Sequence, residues 1–385
     1  MKDFIFRTKT KVLFRENGID TIGEIVAGFG FRKAFIVSGE DLDQLPIMGR
    51  LEISLANAGI IYEKDLSINS EPDTAMADAL ANAVRESYPD VIIAAGGGSV
   101  MDAAKAAAIL QTHEGSCTDY LFGGSRSVTG PGMPLICIPT TCGSGSEVTG
   151  ASVLTDNSTQ KKASISSDYM MPLAALIDPQ LHVSLPADVT AATGMDTLTH
   201  AIEAFVSKNS NPFSDAMAAM SISLVGAYLR RAFDDPNDIT ARSNMAAAST
   251  LGAIAFMNGG LGAVHGISQA MGGVAHVTHG IGNAVMLPHV MKVNLPGNPE
   301  KFAEIGRLLG ESTDGLGTDD AARTALNAVD KLIEYTGIPR QISDLGVTKD
   351  MFPKIIAETM AYRMLAINPV ELTENDIEKI LNECY

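Results

Sequence analysis

The spacing of apolar positions along this chain changes once, near its middle. Over the first 180 residues, short runs rich in β-branched residues alternate with stretches of helical period. That is the pattern of strands and helices wound alternately around a mostly parallel sheet. Residues 34–38 read as a strand ending at Gly39, 46–58 as a helix, 60–62 as a short strand and 73–87 as a second helix. The unbroken apolar run 91–95 predicts a strand covered on both faces, and an Ala-rich helix over 100–110 follows it. Strands are also predicted at 135–138 and 174–177, with a hairpin of 151–155 and 161–165 turning around Asp156 and Asn157.

Beyond residue 186 the short runs stop. Helical patterns are predicted at 189–206, 213–232, 239–257, 260–272, 280–293, 298–309, 319–336, 350–358 and 373–382, with no convincing strand among them. The expected fold is therefore an α/β domain over residues 1–186, built on a mostly parallel sheet, and an all-α domain over 187–385. No repeat or low-complexity linker interrupts it, and the charged stretch 234–238 reads as a solvated turn.

Composition narrows the function classes. At 385 residues the chain is too long for one ordinary core. With 46% apolar and 19% charged residues it is globular rather than disordered. A net charge of −17 argues against nucleic acid and anionic membranes as partners. Cys117, Cys137, Cys142 and Cys384 form no CxxC pair and no secreted framework, which fits a reducing compartment. The first residues lack the apolar core of a signal peptide and no apolar run approaches 18 residues, so a soluble, cytoplasmic protein is expected.

Two stretches carry chemistry. After the 91–95 run come Gly96, Gly97, Gly98 and Ser99. Glycines let backbone approach a phosphate, and the following helix offers free N–H groups and the positive end of its dipole. A plain tight turn with Ser99 as N-cap is the other reading. The loop from Pro139 to Glu147, rich in hydroxyls and glycines, suits either a second wall of a nucleotide site or an exposed loop.

The second stretch runs from Gly194 to His279. Asp196 and His200 are four apart and share one face of a helix. On one straight helix His265 and His279 would lie about 21 Å apart, so the chain must bend between them, and Gly272, Gly273 and Gly280 would permit it. One carboxylate and three imidazoles suit a borderline divalent ion such as zinc or iron(II). Interior histidines satisfied by ordinary hydrogen bonds are the alternative, and spacing alone leaves both open. Four of the seven histidines fall between 265 and 289 among Ala, Gly, Val and Met, where buried imidazoles need partners.

Taken together, the stretch from Gly96 to Lys105, the loop from Pro139 to Glu147, the stretch from Gly194 to Glu203, and His265 with His279 and Gly280 closely resemble the iron-dependent (group III) alcohol dehydrogenases. The likeness spans about residues 10 to 380. It implies a dinucleotide-binding α/β domain, an all-helical domain and an active site in the cleft between them. It also implies an iron or zinc ion on Asp196, His200, His265 and His279. Gly96, Gly97, Gly98 and Ser99 would cradle the cofactor pyrophosphate, with Asp102 helping to hold the nucleotide. Thr140, Thr141, Ser144 and Ser146 would line the adenine and nicotinamide site, and Lys162 would reach a ribose hydroxyl. The reaction implied is hydride exchange between a short-chain alcohol or aldehyde and a nicotinamide cofactor, often run towards aldehyde reduction, by a homodimer or larger assembly.

Two positions depart from the family pattern. A second histidine commonly follows the first in this segment by four residues and relays a proton; here Gln269 stands there, and an amide cannot exchange protons as imidazole does. Either water and a cofactor hydroxyl carry the proton, or His276 substitutes, or turnover is slower. NAD-preferring dehydrogenases usually end the second strand with an acidic residue that binds the ribose 2′-hydroxyl. Gly39 takes that place, with Glu40 and Asp41 next. Glycine alone admits NADP, but the two carboxylates disfavour a phosphate, so NAD is favoured.

The resemblance further places Ala151, Phe256, Leu261 and Tyr362 at the substrate pocket, implying a short chain. Arg363 either meets an anionic tail on the aldehyde or is a surface arginine. Glycerol dehydrogenase-like, maleylacetate reductase-like and dehydroquinate synthase-like enzymes are the rival classes, as is an enzyme that has lost its activity. No basic cluster for a phosphorylated substrate accompanies the histidines, and the reductase type can lack the full ligand set that is present here.

Overall fold

The computed structural model describes residues 3–69, 71–159 and 161–385. They form two compact units. The first comprises residues 8–141 and 145–183. Its strands are β1 (Lys11–Phe14), β2 (Lys33–Val37), β3 (Ile61–Asp65), β4 (Val91–Gly96), β5 (Leu135–Pro139), β6 (Ala151–Asp156), β7 (Lys161–Ser166) and β8 (Ala174–Ile177). Its helices are α1 (Ile22–Gly28), α2 (Glu40–Asp43), α3 (Pro46–Asn57), α4 (Thr74–Ser87), α5 (Gly98–Ile109) and α6 (Cys117–Tyr120).

Six strands form one sheet in the order β1-β8-β5-β4-β2-β3, and every pairing in it is parallel. β6 and β7 pair antiparallel as a separate hairpin. The continuous apolar run of β4 has a physical cause, because the strand is buried on both faces. Ile92 and Ala94 face a core shared with α4 and α5, while Val91, Ile93 and Ala95 face one shared with α1 and α3. The chain leaves β2 towards one edge and β4 towards the other, so the carboxyl ends of this pair flank the topological switch point, where such sheets bind ligands.

Several elements differ from the expectation, among them the four-residue helices α2 and α6, which were not predicted. β1, an exposed four-residue edge strand, has too little apolar contrast to register. α1 was not predicted either. β3 continues beyond residue 62 through Glu63, Lys64 and Asp65, because an edge strand tolerates solvated charge; Lys64 pairs there with Asp43 and Glu52 at 2.6 and 2.9 Å.

The second unit is helical: α7 (Ala187–Val206), α8 (Pro212–Asp234), α9 (Ile239–Gly259), α10 (Ala263–Ala275), α11 (His279–Asn294), α12 (Pro299–Leu308), α13 (Thr318–Thr336), α14 (Phe352–Met360) and α15 (Glu374–Glu383). The chain enters it between Val183 and Ser184, beside the boundary expected near 186. Two short pieces from earlier in the sequence also belong to it, residues 3–7 and 142–144. Hydrogen bonds hold both. Arg7 N–H donates to Asn258 Oδ1 at 2.6 Å, and Thr197 Oγ1 donates to the Cys142 carbonyl at 2.8 Å. No single helix among the described residues is long and apolar enough to cross a membrane.

Candidate active site

The helical unit brings Asp196, His200, His265 and His279 to one point. One ligand atom from each lies within 4.8 Å of all the others. Asp196 and His200 come from successive turns of α7, with His200 Nε2 4.0 Å from Asp196 Oδ1. α10 leaves α9 at 103° through Gly260, whose φ of 87° few other residues adopt, and this turn carries His265 inward. His279 opens α11, its Nε2 3.8 Å from Asp196 Oδ1.

The bend between the two later histidines is not made by glycine. Gly272 and Gly273 lie inside α10 and Gly280 inside α11; the turn is His276 itself, in the left-handed conformation at φ 57°. A single left-handed residue that ends a helix reverses the chain, and histidine tolerates that region better than most. Gly280 serves packing instead. A Cβ there would sit 2.8 Å from the Ala192 carbonyl of α7, so glycine lets α11 close onto the helix that carries Asp196 and His200.

Around the cage, the His265 ring stacks on His200 with centroids 4.6 Å apart, and Phe256 stacks on the opposite face of His200 at 4.6 Å. Glu203, one turn beyond His200, is buried. Its Oε2 lies 2.6 Å from His265 Nδ1, and its Oε1 accepts the Val264 N–H at 2.7 Å. That carboxylate holds the proton on Nδ1, which leaves the Nε2 lone pair facing the cage. Side chains of Asp196, His200 and His265 are 7%, 5% and 2% exposed against 32% for His279, so the cage meets solvent on the His279 side. Burial raises the Asp196 carboxyl, but the three imidazoles and the Asn283 amide outweigh it and hold the group below the usual range. A deprotonated carboxylate with three converging imidazole nitrogens is a donor set that fits a divalent ion.

Of the other predicted residues, Leu261 is buried between α9 and α10, and Tyr362 packs its ring against Gly266 of α10. Burial and the nearby Glu203 push the Tyr362 phenol upward, keeping it neutral. Arg363 is exposed at the start of a partly buried turn after α14. Gln269 is half-buried on α10, while His276 is exposed. Ala151 lies on β6 in the sheet unit, where its carbonyl accepts from Lys105 Nζ at 2.8 Å.

In the sheet unit, β4 runs into Gly96 and Gly97, and α5 starts at Gly98. The N-cap is Gly97 rather than Ser99, and it provides no side-chain acceptor, so the first-turn N–H groups stay uncapped by side chains. Gly97 faces Thr141, whose Oγ1 would lie 3.4 Å from a Cβ there, and Thr140 N–H donates to the Gly96 carbonyl at 3.0 Å. Ser144 falls in the piece that belongs to the helical unit.

Ser146 and Asp102 are tied to each other and to Lys105. Ser146 Oγ donates to Asp102 Oδ1 at 2.5 Å, while Lys105 Nζ donates to Ser146 Oγ at 2.6 Å and Thr149 Oγ1 at 3.0 Å. Asp102 Oδ2 also accepts the Val153 N–H at 2.8 Å, which locks the β6–β7 hairpin to α5. Lys162 pairs with Glu71. Gly39 is buried, and a Cβ there would sit 2.9 Å from the Ile68 carbonyl, so an acidic side chain has no room at this position; Glu40 and Asp41 follow it, exposed, on α2.

Comparison with known proteins bears on both units. Residues 9–179 match the model of the iron-containing alcohol dehydrogenases, and 190–385 match that of the C-terminal domain of the same family. The chain belongs to the iron-containing alcohol dehydrogenases. It is 39% identical over 375 residues to the 1,3-propanediol dehydrogenase of Citrobacter freundii, covering 97% of this chain and 96% of the relative. A crystal structure of a 1,3-propanediol oxidoreductase superposes with a TM-score of 0.95 at 37% identity over the whole of both chains. Sulfoacetaldehyde reductase from Bifidobacterium kashiwanohense, solved in complex with NAD+, gives a TM-score of 0.91 at 28% identity, covering 100% of this chain and 99% of that one. The family implies a nicotinamide cofactor and a divalent metal, and the general reaction is alcohol oxidoreduction.

Burial has a measurable consequence in the metal-free dehydrogenase. Desolvation drives the His200 imidazole down to about 3, with Asp196 opposing the shift. Unfolded, the same group protonates near 6.5, so the unfolded chain binds the extra proton. His200 therefore favours the fold fully above pH 6.5, and its contribution falls by about 1.4 kcal/mol per pH unit as pH drops from there towards 3. Melting temperatures of chelator-treated protein between pH 7.5 and 5 are expected to decline accordingly. A flat profile would show that His200 is not buried as a neutral imidazole.

Proposed function

We propose that this dehydrogenase interconverts a short-chain primary alcohol and its aldehyde by hydride transfer with NAD(H), acting chiefly as an aldehyde reductase. The observation that carries the reading is the convergence of Asp196, His200, His265 and His279 on one point. These four would hold an iron or zinc ion. When bound, such an ion favours alkoxide over alcohol and polarises an aldehyde carbonyl, and the nicotinamide supplies or accepts the hydride.

The chain's own residues prepare this chemistry. Glu203 keeps the proton of His265 on Nδ1, and Phe256 shields the outer face of His200 from water. Phe256, Leu261 and Tyr362 would border the substrate, and Arg363 would meet an anionic tail such as a carboxylate or sulfonate. Gly96, Gly97, Gly98 and Ser99 would take the pyrophosphate on the uncapped amides of α5, with Thr140, Thr141 and Ser144 along the nucleotide and Lys162 at a ribose hydroxyl. Asp102 and Ser146 would act through the Lys105 network, by holding the β6–β7 hairpin in place. Glu40 and Asp41 support NAD over NADP by repelling a 2′-phosphate.

The test is absorbance at 340 nm with NADH or NADPH and a panel of short neutral and anionic aldehydes, before and after chelation. Activity lost on chelation and restored by one metal is expected, with a higher kcat/KM for NADH. Activity indifferent to chelation would overturn the metal reading, and a tenfold NADPH preference would overturn the cofactor choice.

Gln269 lies one turn beyond His265 on α10, where it cannot shuttle a proton. Gln269→His is expected to leave metal content unchanged and shift the pH dependence of kcat; an unaltered profile would remove this position from the proton path.

A further inference from the structure

Asn283 lies one turn after His279 on the same face of α11 and is fully buried. Its amide nitrogen touches three of the four candidate ligands: Asp196 Oδ1 at 2.7 Å, His265 Nε2 at 3.1 Å and His279 Nε2 at 3.2 Å. Its amide oxygen is buried with no hydrogen-bond partner. A buried carbonyl oxygen without a donor is costly, and asparagine escapes such a position by a half-turn about its last bond. Here that rotation would press the oxygen against the Asp196 carboxylate and the imidazole lone pair that Glu203 directs inward. The electron-rich cage therefore dictates the amide's orientation.

We propose that the Asn283 NH₂ group stands in for the cation in the metal-free protein. Three acceptor atoms crowded together at a largely buried site repel one another. The amide's two partly positive hydrogens offset that repulsion and keep the carboxylate and imidazoles gathered for an incoming ion. An ion competes for the imidazole lone pairs, and the amide's strongest bond, to Asp196 Oδ1, fixes that carboxylate. Asn283 is thus a positioning residue. The idea rests on reading the four-residue cluster as a metal site.

Full-length wild type, Asn283→Leu and the isosteric Asn283→Asp would be stripped with chelator and titrated with Co2+, following its visible absorption and the melting temperature with and without the ion. Asn283→Leu should melt lower when metal-free and bind Co2+ about 10- to 100-fold more weakly, the range typical of groups that orient metal ligands. Asn283→Asp should also melt lower when metal-free. Co2+ should then raise its melting temperature by more than it raises that of wild type, because the added charge pairs with the ion. Wild-type Co2+ affinity in Asn283→Leu, or an Asp variant gaining no more from Co2+ than wild type, overturns the proposal while leaving the metal site standing. Failure of wild type itself to take up one Co2+ per chain overturns both.

Discussion

Alanine in place of His265 is expected to weaken metal retention sharply and to lower kcat/KM by about 10³-fold or more, equivalent to roughly 4 kcal/mol of transition-state stabilisation. His265 is central to the cage. It stacks on His200 at 4.6 Å, lies 5.3 Å from His279 between ring centroids, and carries the hydrogen bond to Glu203. Its loss leaves a carboxylate and two imidazoles, one donor fewer and without the ring that Glu203 holds in place, so the ion is held more weakly in competition with chelators. The sheet unit, with its glycine turn, should be unaffected. Metal per chain by elemental analysis, turnover at 340 nm and quenching or enhancement of NADH fluorescence on binding separate the effects. A variant that keeps a full equivalent of metal and near-wild-type turnover would remove His265 from the ligand set.

The second large effect is expected at Glu203, which touches none of the reacting atoms. Glu203→Ala would strip the partner from two buried donors, the Val264 N–H and His265 Nδ1–H. At about 1–3 kcal/mol for each buried donor left unpaired, the fold should lose several kcal/mol. The freed His265 ring could then turn or change tautomer, and metal affinity should fall by about 10- to 100-fold. Glu203→Gln separates the two roles, because its amide oxygen can still accept from one donor. It should recover part of the thermal stability while metal affinity stays low. Thermal melts and chelator competition measure each directly, and a Gln variant with wild-type metal affinity would show that the carboxylate is not what orients His265.

Neither Glu203 nor Asn283 was predicted as a site residue, although both lie within or beside stretches that were. Local spacing points to residues that share a helix face, and so Asp196 with His200 was legible. Glu203 becomes informative only when α10 arrives with its N-terminus against the carboxylate, 61 residues away in sequence from Val264. Asn283 reaches Asp196 across 87 residues. The signals were present as a Glu one turn beyond a candidate ligand and an Asn one turn beyond another, but helical period also places such residues on solvated or ordinary core faces.

The sheet unit shows the same division. Ser146 could be grouped with other loop hydroxyls from composition, yet its hydroxyl is committed to Asp102 and Lys105, 44 and 41 residues away. Gly39 could be seen to lack a carboxylate, but only the approach of the Ile68 carbonyl explains why none would fit.

What the sequence by itself determined is the alternation of buried strands and helices up to about residue 186, the helical remainder, the glycine turn after β4 and the identity of the four ligand-type side chains. Each is written in short-range periodicity or in residue chemistry, which a linear chain displays openly. The tertiary structure decided that His276, not glycine, turns the chain between α10 and α11, that residues 3–7 and 142–144 join the helical unit, and that Glu203 and Asn283 hydrogen-bond to side chains of the cage. Those outcomes depend on which distant backbones approach one another, and that is set by the packing of whole elements rather than by any local pattern.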